Sequence, residues 1–211
     1  MNSPVTKVFL FDFDGVVIDT LPIAVKVYNT LFQKHGINTQ LTPTEFANLF
    51  LDNFHQCLSQ IVPDDATREK ILAERAAEYI RQKGNFRVFP GIKSILSQLA
   101  SCGSVIIISS NDTTFIKEIL DHNQITGVSQ VLGGDIEKSK VKKIFAQKQQ
   151  HPQAQIFYIG DTTGDIKEGK ESGVNTVAVT WGFHSHQLLS HENPNFIFDK
   201  PQELIQLCPS H

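Results

Sequence analysis

The apolar positions of this chain change their period twice. Val8 to Phe13 forms a short apolar run with acidic residues at its end, the pattern of a buried strand. From Leu21 the period becomes helical, with Ile23, Val27, Leu31 and Phe32 on one stripe. Pro22 suits the first turn of that helix and Gly36 its stop. Thr42-Pro43-Thr44-Glu45 opens a second helical stretch carrying Phe46, Leu49, Phe50 and Phe54. A third runs from about Asp64 to Arg81 with Ile71, Leu72, Ala76, Tyr79 and Ile80, so residues from about 20 to 85 are predicted to be purely helical. After Phe89-Pro90-Gly91 helices and strands alternate. Ile92 to Leu99 is followed by the strand Val105 to Ile108, and Phe115 to Leu120 by Val131-Leu132. Val141 to Lys148 precedes Ile156 to Ile159, and Ile166 to Glu171 precedes Val177 to Val179. Phe196 to Phe198 is a last short strand, with a closing helix over Pro201 to Leu207.

Continuous apolar strands that alternate with helices predict an α/β fold: a Rossmann-like, doubly wound parallel sheet covered on both faces. The helical block after the first strand is then an insertion. Its 211 residues suffice for one such core with a modest insert. A net charge of −3 and scattered Lys and Arg argue against a nucleic-acid or anionic-membrane surface. Cys57, Cys102 and Cys208 are odd in number and lack CxxC spacing, which predicts free thiols in a reducing compartment. Met1 to Lys7 has no signal-peptide pattern and no apolar stretch reaches membrane-spanning length, so a cytoplasmic protein is expected.

Ligands of doubly wound sheets bind at the carboxyl ends of the strands, and four such ends carry reactive side chains. They are Asp12 and Asp14; Ser109, Ser110 and Asn111; Lys138 or Lys140; and Asp161 with Asp165. Asp12 and Asp14, two apart in an extended chain, point to one side, and carboxylates that close need a cation or a shared proton. Gly15 allows the chain to leave strand geometry directly afterwards. Asp161 and Asp165 span a strand-to-helix turn and suit Mg2+, which takes a couple of carboxylates. Helix capping by Asp161 is the plainer alternative. Ser109, Ser110 and Asn111 offer donors for a phosphate at a helix start, and a nearby lysine offers balancing charge.

Together these segments resemble the four motifs of the haloacid dehalogenase superfamily. Phe11-Asp12-Phe13-Asp14-Gly15-Val16-Val17 is similar to the first, Ile108-Ser109-Ser110-Asn111 to the second, and Gly160-Asp161-Thr162-Thr163-Gly164-Asp165 to the fourth. For the lysine, Lys138 is preferred to Lys140, because Val141 and Phe145 then fall at the buried positions of the family's next helix. Ser109 is preferred to Ser110 from its distance to Phe115. The resemblance implies a core of residues 1–19 and 87–211 and a helical cap of residues 20–86. The run from Val179 through Trp181-Gly182-Phe183-His184-Ser185 is similar to the phosphoglycolate phosphatase-like branch.

The implied activity is hydrolysis of a small phosphomonoester, with Asp12 as nucleophile, Asp14 as acid and base, and Ser109 and Lys138 stabilising charge. Ser110, Asn111 and Lys140 would contact substrate, and Mg2+ would sit among Asp12, Asp14 (through its carbonyl), Asp161 and Asp165. The protein is expected to be a monomer or homodimer. Asn53, His55 and Arg87 are candidate substrate contacts in or beside the cap, and His184-x-His186 lacks a third metal ligand within reach. The rival readings are a phosphomutase of the beta-phosphoglucomutase kind and a phospho-accepting signalling module.

Overall fold

In a computed structural model, residues 6–52 and 54–208 are described. Asn53, the first five residues and the last three lie outside them. Five apolar runs become strands of one parallel sheet, joined by a sixth at the C-terminal edge: β1 (Lys7–Phe11), β4 (Ser104–Ile108), β5 (Gln130–Leu132), β6 (Gln155–Gly160), β7 (Asn175–Val179) and β8 (Phe196–Phe198). Their spatial order is β5-β4-β1-β6-β7-β8. β1 pairs with β4 on one side and β6 on the other, so chain order reverses around it and a crevice opens at the strands' carboxyl ends.

Strand alternation sorts the core. Phe9, Phe11, Ile107, Phe157 and Ile159 face one layer; Val8, Leu10, Ile106, Ile108 and Tyr158 face the other. The first layer is closed by α5 (Ile92–Ala100), α6 (Thr113–His122) and a 3₁₀ segment, Pro201–Leu207, where a helix had been expected. Ile144 of α7 (Lys140–Gln150) packs on the second, and Ile166 of α8 (Thr163–Glu171) packs with Ala178 and with Leu189 of the short α9 (His186–His191).

A short ribbon brackets the helical insertion just outside its expected bounds. Ile18–Asp19 (β2) pairs antiparallel with Arg87–Val88 (β3), and the two-residue strands flank four helices. These are α1 (Leu21–Lys34), α2 (Pro43–Asn48), α3 (Phe54–Ile61) and α4 (Asp65–Arg81). Pro22 lies in the first turn of α1, and Gly36 follows that helix at φ +73°. The stretch expected as one helix from Thr42 to Phe54 is two. A capping box between Thr42 and Glu45 starts α2, which stops at Asn48, and Phe54 begins α3. Asp64 caps α4 through the Thr67 amide.

The helices are latched to the core over the crevice: Thr163 Oγ1 donates to the Leu51 carbonyl at 2.9 Å, and Lys83 pairs with Glu118 at 2.7 Å. Lys167 reaches both Asp52 and the Leu51 carbonyl.

The expectation of three free thiols fails. Cys102 and Cys208 are joined as a disulfide, and only Cys57 is free among the cysteines. Their separation of 106 residues conceals that the end of α5 packs against the closing 3₁₀ segment, with the Cα atoms 6.0 Å apart. The cytoplasmic expectation loses the support it took from free thiols. Among the described residues, no helix is long and apolar enough to cross a membrane.

Candidate active site

The carboxyl end of β1 is where the backbone turns. The Asp12 amide still donates to the Ile159 carbonyl at 2.9 Å, continuing the sheet, and Gly15 then takes φ +76°. A Cβ at Gly15 would collide with the Asp161 carboxylate. Gly36, by contrast, has nothing within 4 Å of such a Cβ. Both substitutions to Ala strain a left-handed residue, at about 1–2 kcal/mol. Gly15→Ala is expected to lose activity at least about 100-fold as well, through displacement of the Asp161 carboxylate from the site. Gly36→Ala is expected to lose only thermal stability, so melting curves and turnover of the two proteins separate strain from site damage.

Asp12, Asp161 and Asp165 are all buried, with one oxygen of each within 4.8 Å of the others. Lys140 Nζ sits 2.9 Å from both Asp12 Oδ1 and Asp165 Oδ1. Burial pushes the Asp12 carboxyl well up, Asp165 and Asp14 add repulsion, and Lys140 opposes them. Asp161 is likewise raised, by burial and then by Asp165 and Asp12. Burial also penalises the charge on Asp165, yet Lys140 and hydrogen bonds from Thr162, Lys140 and Tyr158 outweigh it and hold this carboxyl below its ordinary value.

The capping alternative for Asp161 does not hold. Thr162 caps α8, and Asp165 Oδ2 completes the box by accepting from the Thr162 amide at 3.1 Å and hydroxyl at 2.6 Å. Asp161 Oδ2 instead accepts from the Phe183 amide at 2.7 Å, while its Oδ1 is buried without a hydrogen-bond partner. A bare, buried carboxylate oxygen beside two more carboxylates is a donor set suited to a hard divalent cation.

Asp14 lies apart from that cluster. Its Oδ2 accepts from Asn111 Nδ2 at 2.7 Å. Burial raises its carboxyl, against Arg75 and Lys140. Ser109 is fully buried, and its Oγ accepts from the Asn111 amide at 3.0 Å. Ser110 and Asn111 line a cavity of about 900 Å³ shared with Asp12, Asp14, Lys138, Lys140 and Asp165.

The orientation of α7 brings Lys140, rather than the preferred Lys138, to the carboxylates. Phe145, expected inward, is 49% exposed, whereas Lys143, Ile144 and Gln147 are buried. That rotation, with Ser139 as the cap, turns Lys140 into the carboxylates and leaves Lys138 on the cavity wall. His55 lines the cavity too, its imidazole pushed down by burial and by Arg75 and Lys138. Arg87 is exposed in β3. Both nitrogens of the buried His184 are engaged: Nδ1 accepts from the Thr163 amide at 3.0 Å and Nε2 meets the Ala47 carbonyl at 2.9 Å. It therefore ties α8 to α2 and is no metal ligand. Phe183 packs on Phe46 of α2 and on Phe50 just beyond its end. The tail after β7 thus joins the helical segment to Asp161.

Three participants escaped the sequence reading. Tyr158 OH donates to Asp165 Oδ1 at 2.8 Å. Lys143 Nζ, buried beneath the site, donates to the Ser109 carbonyl at 2.6 Å and the Gly133 carbonyl at 3.2 Å; burial and then Lys140 bring its pKa down to about 8. Arg75 reaches from α4 to Asn111 Oδ1 at 2.8 Å. Its signal was present: Ile71, Arg75 and Tyr79 recur every fourth residue, placing an arginine in an apolar stripe.

The site and sheet are those of a known class of hydrolase. The family model described as haloacid dehalogenase-like hydrolase matches residues 9–179, and the chain belongs to that family. The chain is 28% identical over 210 residues to a phosphoglycolate phosphatase of Synechococcus elongatus, covering 95% of this chain and 96% of that one. It is 27% identical to a phosphoglycolate phosphatase of Aquifex aeolicus, with 97% and 98% covered. A haloacid dehalogenase-like hydrolase from Streptococcus pneumoniae superposes with a TM-score of 0.81 at 24% identity, covering 97% of this chain and 98% of that one. A hydrolase from Pseudomonas syringae does so with a TM-score of 0.80 at 16%, with 96% and 97% covered.

Proposed function

We propose that the protein is a Mg2+-dependent phosphatase that hydrolyses a small phosphomonoester, phosphoglycolate or a close analogue, through an aspartyl-phosphate on Asp12. The observation that carries this reading is the meeting of Asp12, Lys140, Asp161 and Asp165 at one sheet edge, with Asp14 held separately by Asn111. The kinship to phosphoglycolate phosphatases supports the substrate class. Residues 1–19 and 87–211 are the catalytic core in this scheme, and 20–86 the cap that covers it.

The two aspartates of the first motif divide the work. An Asp12 oxygen attacks phosphorus in line as the ester P–O bond breaks. Asp14, held by Asn111 outside the cluster of Asp12, Asp161 and Asp165, is the carboxyl placed to give its proton to the leaving alkoxide. The resulting Asp14 carboxylate then takes a proton from the water that attacks phosphorus, which frees inorganic phosphate and restores Asp12. Lys140, the Ser109 segment and the donors of Ser110 and Asn111 balance and orient the phosphoryl oxygens. Asp12, Asp161 and Asp165 would hold the ion. When bound, Mg2+ supplies positive charge to this crowded set of carboxylates and to the phosphoryl group.

The test is inorganic phosphate release from a panel of phosphomonoesters including 2-phosphoglycolate, with Mg2+ and with EDTA. Mg2+-dependent release, with a small acid phosphate ahead of the panel, is the expected result. No release from any ester, with phosphate transfer between sugar phosphates instead, would replace the phosphatase by a mutase.

A further inference from the structure

One cation of the helical segment lines the cavity on the side of Asp14, whose carboxyl it helps to hold down without a direct ion pair. Arg75 Nη1 donates to Asn111 Oδ1 at 2.8 Å, and Asn111 Nδ2 donates to Asp14 Oδ2 at 2.7 Å. The guanidinium therefore stands two hydrogen bonds from the carboxyl assigned to protonate the departing oxygen. It lies 5.1 Å from the centre of the Tyr79 ring and lines the cavity together with Tyr28 and Tyr79. Its Nε is buried with no hydrogen-bond partner, and Asp14 acts on the guanidinium through space, reached only through Asn111. The part-buried guanidinium thus keeps a buried N–H to offer, and its planar fork matches a carboxylate in two parallel hydrogen bonds.

We propose that Arg75 is the specificity-determining residue of this site, and that it receives a carboxylate carried by the alcohol half of the ester, one or two carbons from the bridging oxygen. One guanidinium balances one negative charge. A second phosphoryl group would bring nearly two charges into a space bordered by Asp14. The carboxylate is therefore the better-matched anion. This inference rests on the phosphatase reading and adds to it the group by which the substrate is chosen.

The experiment compares kcat/KM for 2-phosphoglycolate and for ethyl phosphate, a similar ester lacking the carboxylate, in the wild type, Arg75→Gln and Arg75→Lys. The wild type is expected to favour phosphoglycolate by at least about 100-fold, the scale of losing one buried charge-paired contact. Arg75→Gln is expected to lose about 100-fold more on phosphoglycolate than on ethyl phosphate, so that the preference between the two esters collapses whatever loss they share. Arg75→Lys, which keeps the charge without the fork, is expected to fall between. Equal losses on both esters would make Arg75 a residue that positions Asp14 through Asn111, and would overturn the proposal. So would a wild type that takes both esters equally, a result that needs no variant and leaves the phosphatase standing. Absence of phosphate release from either ester, and from the rest of the panel, would instead remove the phosphatase reading itself.

Discussion

Phosphate release by the Asp12→Asn protein is expected to fall at least about 10⁴-fold below wild type, into background. An amide oxygen of the same shape cannot act as the carboxylate nucleophile. The same substitution should leave the metal-free fold as stable as the wild type or more so. Burial and the neighbouring Asp165 and Asp14 raise the Asp12 carboxyl, which means that its charge is held at a cost offset by Lys140. Asparagine removes that charge and part of the repulsion. Loss of turnover with an unchanged or higher Tm in EDTA is the joint signature, read by a phosphate assay and a melting curve on one sample. Near-normal Mg2+-dependent release would show that another group attacks phosphorus. A collapse of Tm alongside activity would make Asp12 a structural residue.

The place of Asp12 is legible in the sequence, because strand-end carboxylates are written locally; the stability half of the prediction rests on Lys140 and Asp165, which only the fold brings to it. Phe9 to Phe11 must be buried on both faces of a parallel sheet, so Asp12 stands where the apolar run stops. Asp161 after Ile156 to Gly160 is legible for the same reason. The β2–β3 ribbon is not, because two residues per strand carry no period to detect. The break before Phe54 is equally silent, since the apolar spacing runs on across it. The bond between Cys102 and Cys208 depends on where a closing segment docks, which no local pattern encodes.

The lysine shows the limit most clearly. Lys138, Lys140, Lys142 and Lys143 crowd one helix start, and each is a plausible cation by type. Which one turns inward depends on the rotation of α7 about its axis. Phe145 argued for one rotation; the packing of Ile144 with Leu10, Ile106 and Tyr158 imposes another. Tertiary contact overrides the preference of a single apolar residue, and a 49% exposed Phe145 is the outcome.

Lys140→Met is accordingly expected to damage both chemistry and fold, where Lys138→Met damages neither to a comparable degree. Removing the cation of a buried cluster that otherwise holds only carboxylates leaves uncompensated charge, at about 3–5 kcal/mol, or about 6–20 °C in Tm for a chain of this size. Turnover is expected to drop about 10²- to 10³-fold with the loss of a cation beside the transferring phosphoryl group.

The pH dependence has a definite sign. Asp12 and Asp161 are raised in the fold, so the metal-free protein keeps protons that the unfolded chain releases near 3.8. Its stability should therefore decline as pH rises from there through the raised values. Asp165 works the other way: held low chiefly by Lys140, it stabilises the fold above 3.8 and loses that contribution only as pH falls through its depressed value. Without Lys140 all three carboxyls shift upward. The gap between Lys140→Met and wild type should thus be small near pH 4, widen toward pH 8 in EDTA, and narrow again when Mg2+ is added. Melting curves at the two pH values, with and without Mg2+, check each step. A Lys140→Met protein that matched wild type at pH 8 in EDTA, while Lys138→Met fell, would return the catalytic role to Lys138.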